Sequence, residues 1–347
     1  MKLNHLAQRK LVPLLLTLGV LGGCEAPLDL SGIEQQQNQA TRRFDQFKSA
    51  AHTDDRIVVV GDHGVVLTSR DQGESWSRLE LSGYPALVDV TACPDGSVVA
   101  LDRSRKVWVS DTNDSGNEYW ASRGITTEEE PLAIDCDPEG HLWVTASFST
   151  ILHSNDKGLG WASQSLDEDM QLGTIQFLDR DSAVITGEFG ALLKSIDGGR
   201  TWQRHADLPD EFFPLAAHFA DTDTGWVSGL GGTVLHTRDG GQSWEKQSTA
   251  SVSPLYGLIS NGPELYAAGD SGTLLQYDGA SWNPVAHNTG VRSYFIAMAA
   301  LNRDQLLVAG GAGLVSVIDV TQDTTKPHAN HNVLAEKLNE RTEGATL

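Results

Sequence analysis

The chain has 347 residues, with 46 Asp and Glu against 25 Lys and Arg, a formal charge of −21. Nucleic-acid binding rests on Lys and Arg displacing counterions, so this balance excludes that partner class and discourages broad contact with anionic lipid. The length suits one large domain.

In chain order, Lys2, Arg9 and Lys10 precede an apolar run from Leu11 to Leu21 that ends on Leu21-Gly22-Gly23-Cys24. The run falls short of the roughly 20 apolar residues of a spanning helix and has the layout of a secretory signal. Its last residues resemble the bacterial lipobox, which implies cleavage before Cys24 and a diacylglyceryl thioether on its sulfur. Residues 1–23 are then a signal peptide, and loss of its three cations takes the charge from −21 to −24. Glu25 at the next position points to the outer membrane in a Gram-negative host. Residues 24–44, with the run Gln35-Gln36-Gln37-Asn38-Gln39, read as a polar tether.

From residue 45 to 320 one pattern recurs. Val58-Val59-Val60-Gly61-Asp62-His63-Gly64-Val65-Val66-Leu67 returns as Val184 to Leu193, Trp226 to Leu235, Tyr266 to Leu275 and Leu307 to Ser316. Weaker copies are Val98 to Trp108 and Trp143 to Leu152. The closing residues Ser69, Ser110, Ser154, Ser195, Thr237, Tyr277 and Ile318 are spaced by 41, 44, 41, 42, 40 and 41. Each copy holds short β-branched strands between turn residues, as in Phe213 to Phe219, Gly225 to Ser228, Thr233 to Thr237 and a strand from Trp244. Four strands in such a period make one propeller blade, so the expected fold is all-β, a seven-bladed β-propeller of four-stranded blades. The seventh copy stops after its third strand near Val320, and Pro27 to Ile33 is the segment expected to close it. Residues 321–347 form a polar tail, with a short helix expected at Val333 to Arg341.

The turn before each fourth strand carries Ser/Thr-x-Asp-x-Gly-x-Ser/Thr-Trp. Complete copies place Asp71, Gly73 and Trp76, then Asp197, Gly199 and Trp202, then Asp239, Gly241 and Trp244. The copy with Asp156, Gly158 and Trp161 lacks one hydroxyl, because Gly160 stands in its place. Asp caps backbone N–H groups of its own turn, Gly supplies positive φ, and Trp buries a ring beside the hairpin. These motifs resemble Asp-box (BNR) repeats, and the resemblance implies a structural place for them on the blade periphery.

Among Asp-box proteins, the chain resembles the photosystem II stability/assembly factor-like family over residues 45–320. The likeness is closest at Gly225 to Trp244, where glycines, Thr, Asp, Gly-Gly and Trp follow the family phrase with one extra residue before Gly232. It implies a non-enzymatic scaffold that binds protein and helps a membrane protein complex assemble; no cofactor and a monomeric chain are expected. The photosynthetic members are associated with a basic surface patch, whereas this chain is acidic. The alternative is a glycan-binding or glycan-cleaving, sialidase-like propeller. That chemistry needs an arginine triad and a Tyr-Glu pair. Arg56 sits in Asp55-Arg56-Ile57-Val58, without the Phe-Arg-Ile-Pro context.

In a propeller the bends between second and third strands share an end with the loops entering the first strands. That end would carry Asp62, His63, Asp102, Arg103, Arg105, Glu188, Phe189 and Asp270, with Tyr84, Glu128, Glu129, Glu130, Asp169, Phe212, Phe213, Arg292 and Tyr294 from the loops. Aromatics beside charge suit a partner-binding face. His328 and His331 lack further ligands, and Asp221-x-Asp223 lacks the Glu that ends a calcium loop, so no metal site is expected. Cys93 and Cys136 fall at like places in neighbouring repeats and are expected to be two buried thiols rather than a bridge.

Overall fold

The computed structural model describes residues 39–112, 118–290 and 292–320. Cys24, the segment Pro27 to Ile33, the His328/His331 pair and the expected helix at Val333 to Arg341 lie outside these residues.

Every repeat becomes an antiparallel up-and-down sheet. The first runs Phe47–His52, Ile57–Gly61, Val65–Ser69 and Ser77–Glu80 in that spatial order. Further four-stranded sheets cover 87–124, 131–165 and 172–204. Residues 214–249 and 255–284 are joined as one eight-stranded sheet, and 295–319 form a three-stranded one. The join is short: Ser248 pairs with Ser281 and Thr249 with Trp282, in parallel. In the repeat dissected above, the strands are Pro214–Phe219, Gly225–Gly229, Val234–Thr237 and Glu245–Thr249. The arrangement is an all-β propeller.

Two-sided burial explains the apolar runs that mark each second strand. All five residues of Ile57–Gly61 are buried. Val58 and Val60 pack toward Leu87, Val98 and Trp108 of the second sheet, while Ile57 and Val59 pack toward Ala297, Leu307 and Ala309 of the last. A strand with a sheet on each face has no solvent side, so alternation gives way to a continuous Val/Ile/Leu run. The contact between first and last sheets also closes the ring.

The innermost strands of neighbouring sheets converge on the axis. Residues from all seven of them, including Ser49, Asp89, Thr174, Tyr256 and Met298, line a central channel of about 320 Å³. Hydrogen bonds step from strand to strand around it. Asp89 Oδ2 accepts from Ile134 N–H (2.9 Å), Asp135 Oδ2 from Phe177 N–H (2.8 Å), and Gln176 Oε1 from Phe219 N–H (2.8 Å).

That convergence corrects one expectation. Cys93 and Cys136 form a disulfide, with their Cα atoms 5.2 Å apart. Equivalent places in adjacent repeats lie far apart on outer strands, but Cys136 ends an inner strand and Cys93 directly follows the neighbouring one, where a bridge is within reach.

Candidate binding face

At one end of the propeller, each bend between second and third strands turns through a residue with positive φ. His63 has φ 61°, Arg105 62°, Phe148 50°, Phe189 58°, Gly231 61°, Ser271 57° and Ala312 57°. A bulky side chain held there costs roughly 1–2 kcal/mol relative to a right-handed conformation, so the two phenylalanines are strained. Backbone bonds hold the bends in place. Asp62 N–H donates to Gln46 O (3.0 Å), Arg103 N–H to Ala86 O (3.0 Å), Glu188 N–H to Gln171 O (2.9 Å) and Asp270 N–H to Pro254 O (3.0 Å). Each acceptor immediately precedes a first strand, so bends and entering loops share one end.

The sequence-nominated residues differ in how they use that end. Asp62 lies 3.5 Å from Lys48, and Arg103 lies 3.5 Å from Glu130. Arg105 donates to Glu128 O at 2.8 Å, so these cations are engaged by neighbouring loops. Asp270, Arg292 and Tyr294 come together around a cavity of about 470 Å³ with Ser271 and Ser293. The Tyr294 hydroxyl donates to Gln46 Oε1 at 2.6 Å, across the junction of last and first sheets. Phe189 and Phe213 are exposed. Phe212 turns inward and packs on Leu208, Val227 and Leu235, and a Cβ on Gly229 would meet its ring at 2.6 Å. Sequence reasoning passed over Phe148 and Leu230, which are also exposed at this end. Phe148 occupies the bend position that His63 and Phe189 fill, a signal the repeat alignment contained.

The Asp boxes sit at the opposite end. Asp71 Oδ1 accepts from Ser69 Oγ (2.8 Å) and Ser75 N–H (2.9 Å), and Ser69 Oγ in turn accepts from Gly73 N–H (2.8 Å). Asp197 and Asp239 repeat this pattern with Ser195, Thr201 and with Thr237, Ser243. Asp156 accepts from Gly160 N–H without a hydroxyl partner there. Bonds from Ser75 and Ser243 above all hold Asp71 and Asp239 at about 2, so both are charged at neutral pH and cannot serve as general acids. The glycines press on the preceding sheet: a Cβ on Gly73 would lie 2.5 Å from Val317, on Gly158 2.7 Å from Val107, on Gly199 2.3 Å from Trp143, and on Gly241 2.4 Å from Leu192. Trp76, Trp161, Trp202 and Trp244 join the clusters between sheets.

A cleft of about 690 Å³ opens between sheets 131–165 and 172–204, lined by Asp137, His141, Trp143, His153, Arg180 and Arg200. Asp137 is spent on Trp143 Nε1 (3.0 Å) and on the His141 backbone N–H (2.9 Å), and Arg180 is paired with Glu139. Among the described residues no cluster of three or more His, Cys, Asp or Glu is arranged to hold a metal ion, and no helix is long and apolar enough to cross a membrane.

Comparison with known proteins adds sequence kinship to this geometry. The family profile described as photosynthesis system II assembly factor YCF48 matches in overlapping stretches, residues 109–207, 159–257 and 204–306. A relative from Synechococcus sp. (strain CC9605), named photosystem II assembly lipoprotein Ycf48, is 31% identical over 42% of this chain and 47% of its own. The chain spans about half the length of the curated relatives it matches. Of solved structures, one titled YCF48 bound to D1 peptide has a TM-score of 0.67 at 17% identity, covering 81% of this chain and 94% of that one. Virginiamycin B lyase from Staphylococcus aureus superposes almost as well, with a TM-score of 0.66 at 12% identity over 81% of this chain and 95% of its own. Structural likeness at such identities shows the fold alone, and the assignment rests on the sequence profile: the chain belongs to the photosystem II assembly factor YCF48 family.

Proposed function

We propose that this protein is a non-enzymatic, lipid-anchored scaffold that binds a segment of a membrane protein and assists assembly of its complex. Membership of a family whose relatives are named assembly factors carries this reading, together with a solved family member bound to a D1 peptide. In its favour, the Asp-box carboxylates are consumed by their own turns. The partner-facing end is the one formed by bends and entering loops, where Phe189, Phe213, Arg292 and Tyr294 lie. The eight-stranded sheet is read as two blades touching at their outer strands, which gives seven blades. Pro27 to Ile33 remains the proposed fourth strand of the last one. The lipobox supports export with acylation at Cys24, facing the periplasm and in the outer membrane of a Gram-negative host.

Photo-crosslinking in native membranes tests the reading. A photoreactive amino acid is placed at 189 or 213, and separately at 159 or 196 in the Asp-box turns. Capture of one membrane protein from 189 and 213 but not from 159 or 196 is expected. Absence of any reproducible crosslink from the first pair would overturn it.

A further inference from the structure

Eleven large hydrophobic side chains are exposed among the described residues, and only four lie away from the end formed by bends and loops. Those four are Leu79 and Tyr119 on outer strands and Leu159 and Ile196 in Asp-box turns. Of the other seven, Phe44, Tyr84 and Val252 lie elsewhere along that end, and four gather over the sheets at 131–165, 172–204 and 214–249. There Phe148 is 53% exposed, Phe189 60%, Phe213 47% and Leu230 58%. Hydrogen bonds make this arc continuous. Ser149 N–H donates to Met170 O and Leu208 N–H to Gly190 O, which tie two bends to the loop entering the next sheet, while Glu188 N–H donates to Gln171 O of the loop entering its own sheet. Two of the four apolar residues keep positive φ, a conformation that Gly or Asn would adopt without strain. Exposure of an aromatic ring and a strained backbone coincide where a solvent-facing loop needs neither.

The loops between these rings are acidic. Asp167, Asp169 and Asp210 are exposed, and among the described residues none has an Arg or Lys within ion-pair distance. Arg204, on the outer strand of the sheet at 172–204, is already bound to Glu168 and Asp207. Rings rimmed by unpaired carboxylates match an extended chain that alternates apolar with basic side chains, and they repel an acidic one.

We propose that the arc formed by Phe148, Phe189, Phe213 and Leu230 is a docking surface for a cationic, apolar peptide segment of the partner. This rests on the scaffold reading above and specifies its ligand chemistry. The apolar side chains seat between the rings, and Lys or Arg of the peptide face Asp167, Asp169 and Asp210.

The test uses the full acylated chain in phosphatidylcholine nanodiscs, with empty discs as background. The probe is a fluorescent peptide alternating Lys with Phe and Leu. Two counterparts carry Glu for Lys or Ser for the apolar residues. Saturable anisotropy is expected with the Lys/Phe/Leu peptide only, weakening steeply with salt. Phe148→Asn/Phe189→Asn/Phe213→Ser should weaken it more than about tenfold, and Leu159→Ser/Ile196→Ser in the Asp-box turns should leave it unchanged. Asp167→Asn/Asp169→Asn/Asp210→Asn should remove most of the salt dependence. Equal binding of the Glu peptide, equal loss in the 159/196 variant, or no saturable binding overturns the proposal. So does self-association of the chain that the triple Phe variant abolishes, since the arc would then serve a second copy. If positions 189 and 213 still capture one membrane protein in native membranes while these peptides fail, the scaffold reading stands and this inference falls.

Discussion

Removing the Cys93–Cys136 bridge should cost the propeller a measurable part of its stability. The two cysteines are 43 residues apart in sequence, and closing a loop of that size restricts the unfolded chain by about 4 kcal/mol at 25 °C. Unfolding entropy of roughly 2 cal/mol/K per residue, taken over the propeller, converts this into a fall in Tm of about 7 °C. Both sulfurs are buried, so a reductant in the native state should act slowly and the comparison is best made with Cys93→Ala/Cys136→Ala. Calorimetry on the exported wild-type chain and on this variant gives the shift. A thiol titration under denaturing conditions checks that the wild type carries the bridge. A Tm change within about 1 °C, or titration of Cys93 and Cys136 as free thiols in the exported protein, would refute the reasoning.

Arg78→Ala should destabilise by about 3 kcal/mol in urea unfolding, because it strands the buried Asp45 carboxylate that Arg78 holds at 2.7 and 3.1 Å. Arg78→Met/Asp45→Leu should recover most of that loss. Burial pushes the Asp135 carboxyl up to about 7. The native state therefore binds more protons than the unfolded one between about pH 4 and 7, and stability falls as pH rises through that window. Asp135→Asn should make the fall shallower, read as urea midpoints at pH 5 and 8. Asp71 and Asp239 titrate at about 2, below the ordinary carboxylate value, so their contribution is present above about pH 4 and is lost as pH drops toward 2. Asp239→Ala should lower Tm at pH 7 and leave a shallower acid limb in thermal melts.

The propeller was legible because the period survives even where the motif decays. The strands at 98–102 and 106–112 form on schedule although their repeat has lost its glycines. Strand boundaries around residues 214–249 were readable to within one or two residues. What escaped is radial and contextual. The period assigns Cys93 and Cys136 to like positions but does not say that inner strands converge, so the bridge was misread. Asp89 and Asp135 are bound by backbone N–H groups of neighbouring sheets, which no local pattern reveals. Phe212 and Phe213 are adjacent in a loop, and only the space beside Gly229 decides which ring turns inward.

The bends have a consequence for how such a protein can diversify. Their attachment to the loops runs through main-chain N–H and C=O groups, which every residue but proline supplies in full. Those main-chain bonds do not depend on the tip side chain, although Arg105 adds a bond of its own to Glu128 O. Seven tips can therefore be rewritten one at a time, subject only to tolerance of a left-handed backbone. This chain has used that latitude unevenly: His, Arg, Phe, Phe, Gly, Ser and Ala follow one another round the ring. A descendant facing a different client could exchange two or three of these letters and keep every strand where it is.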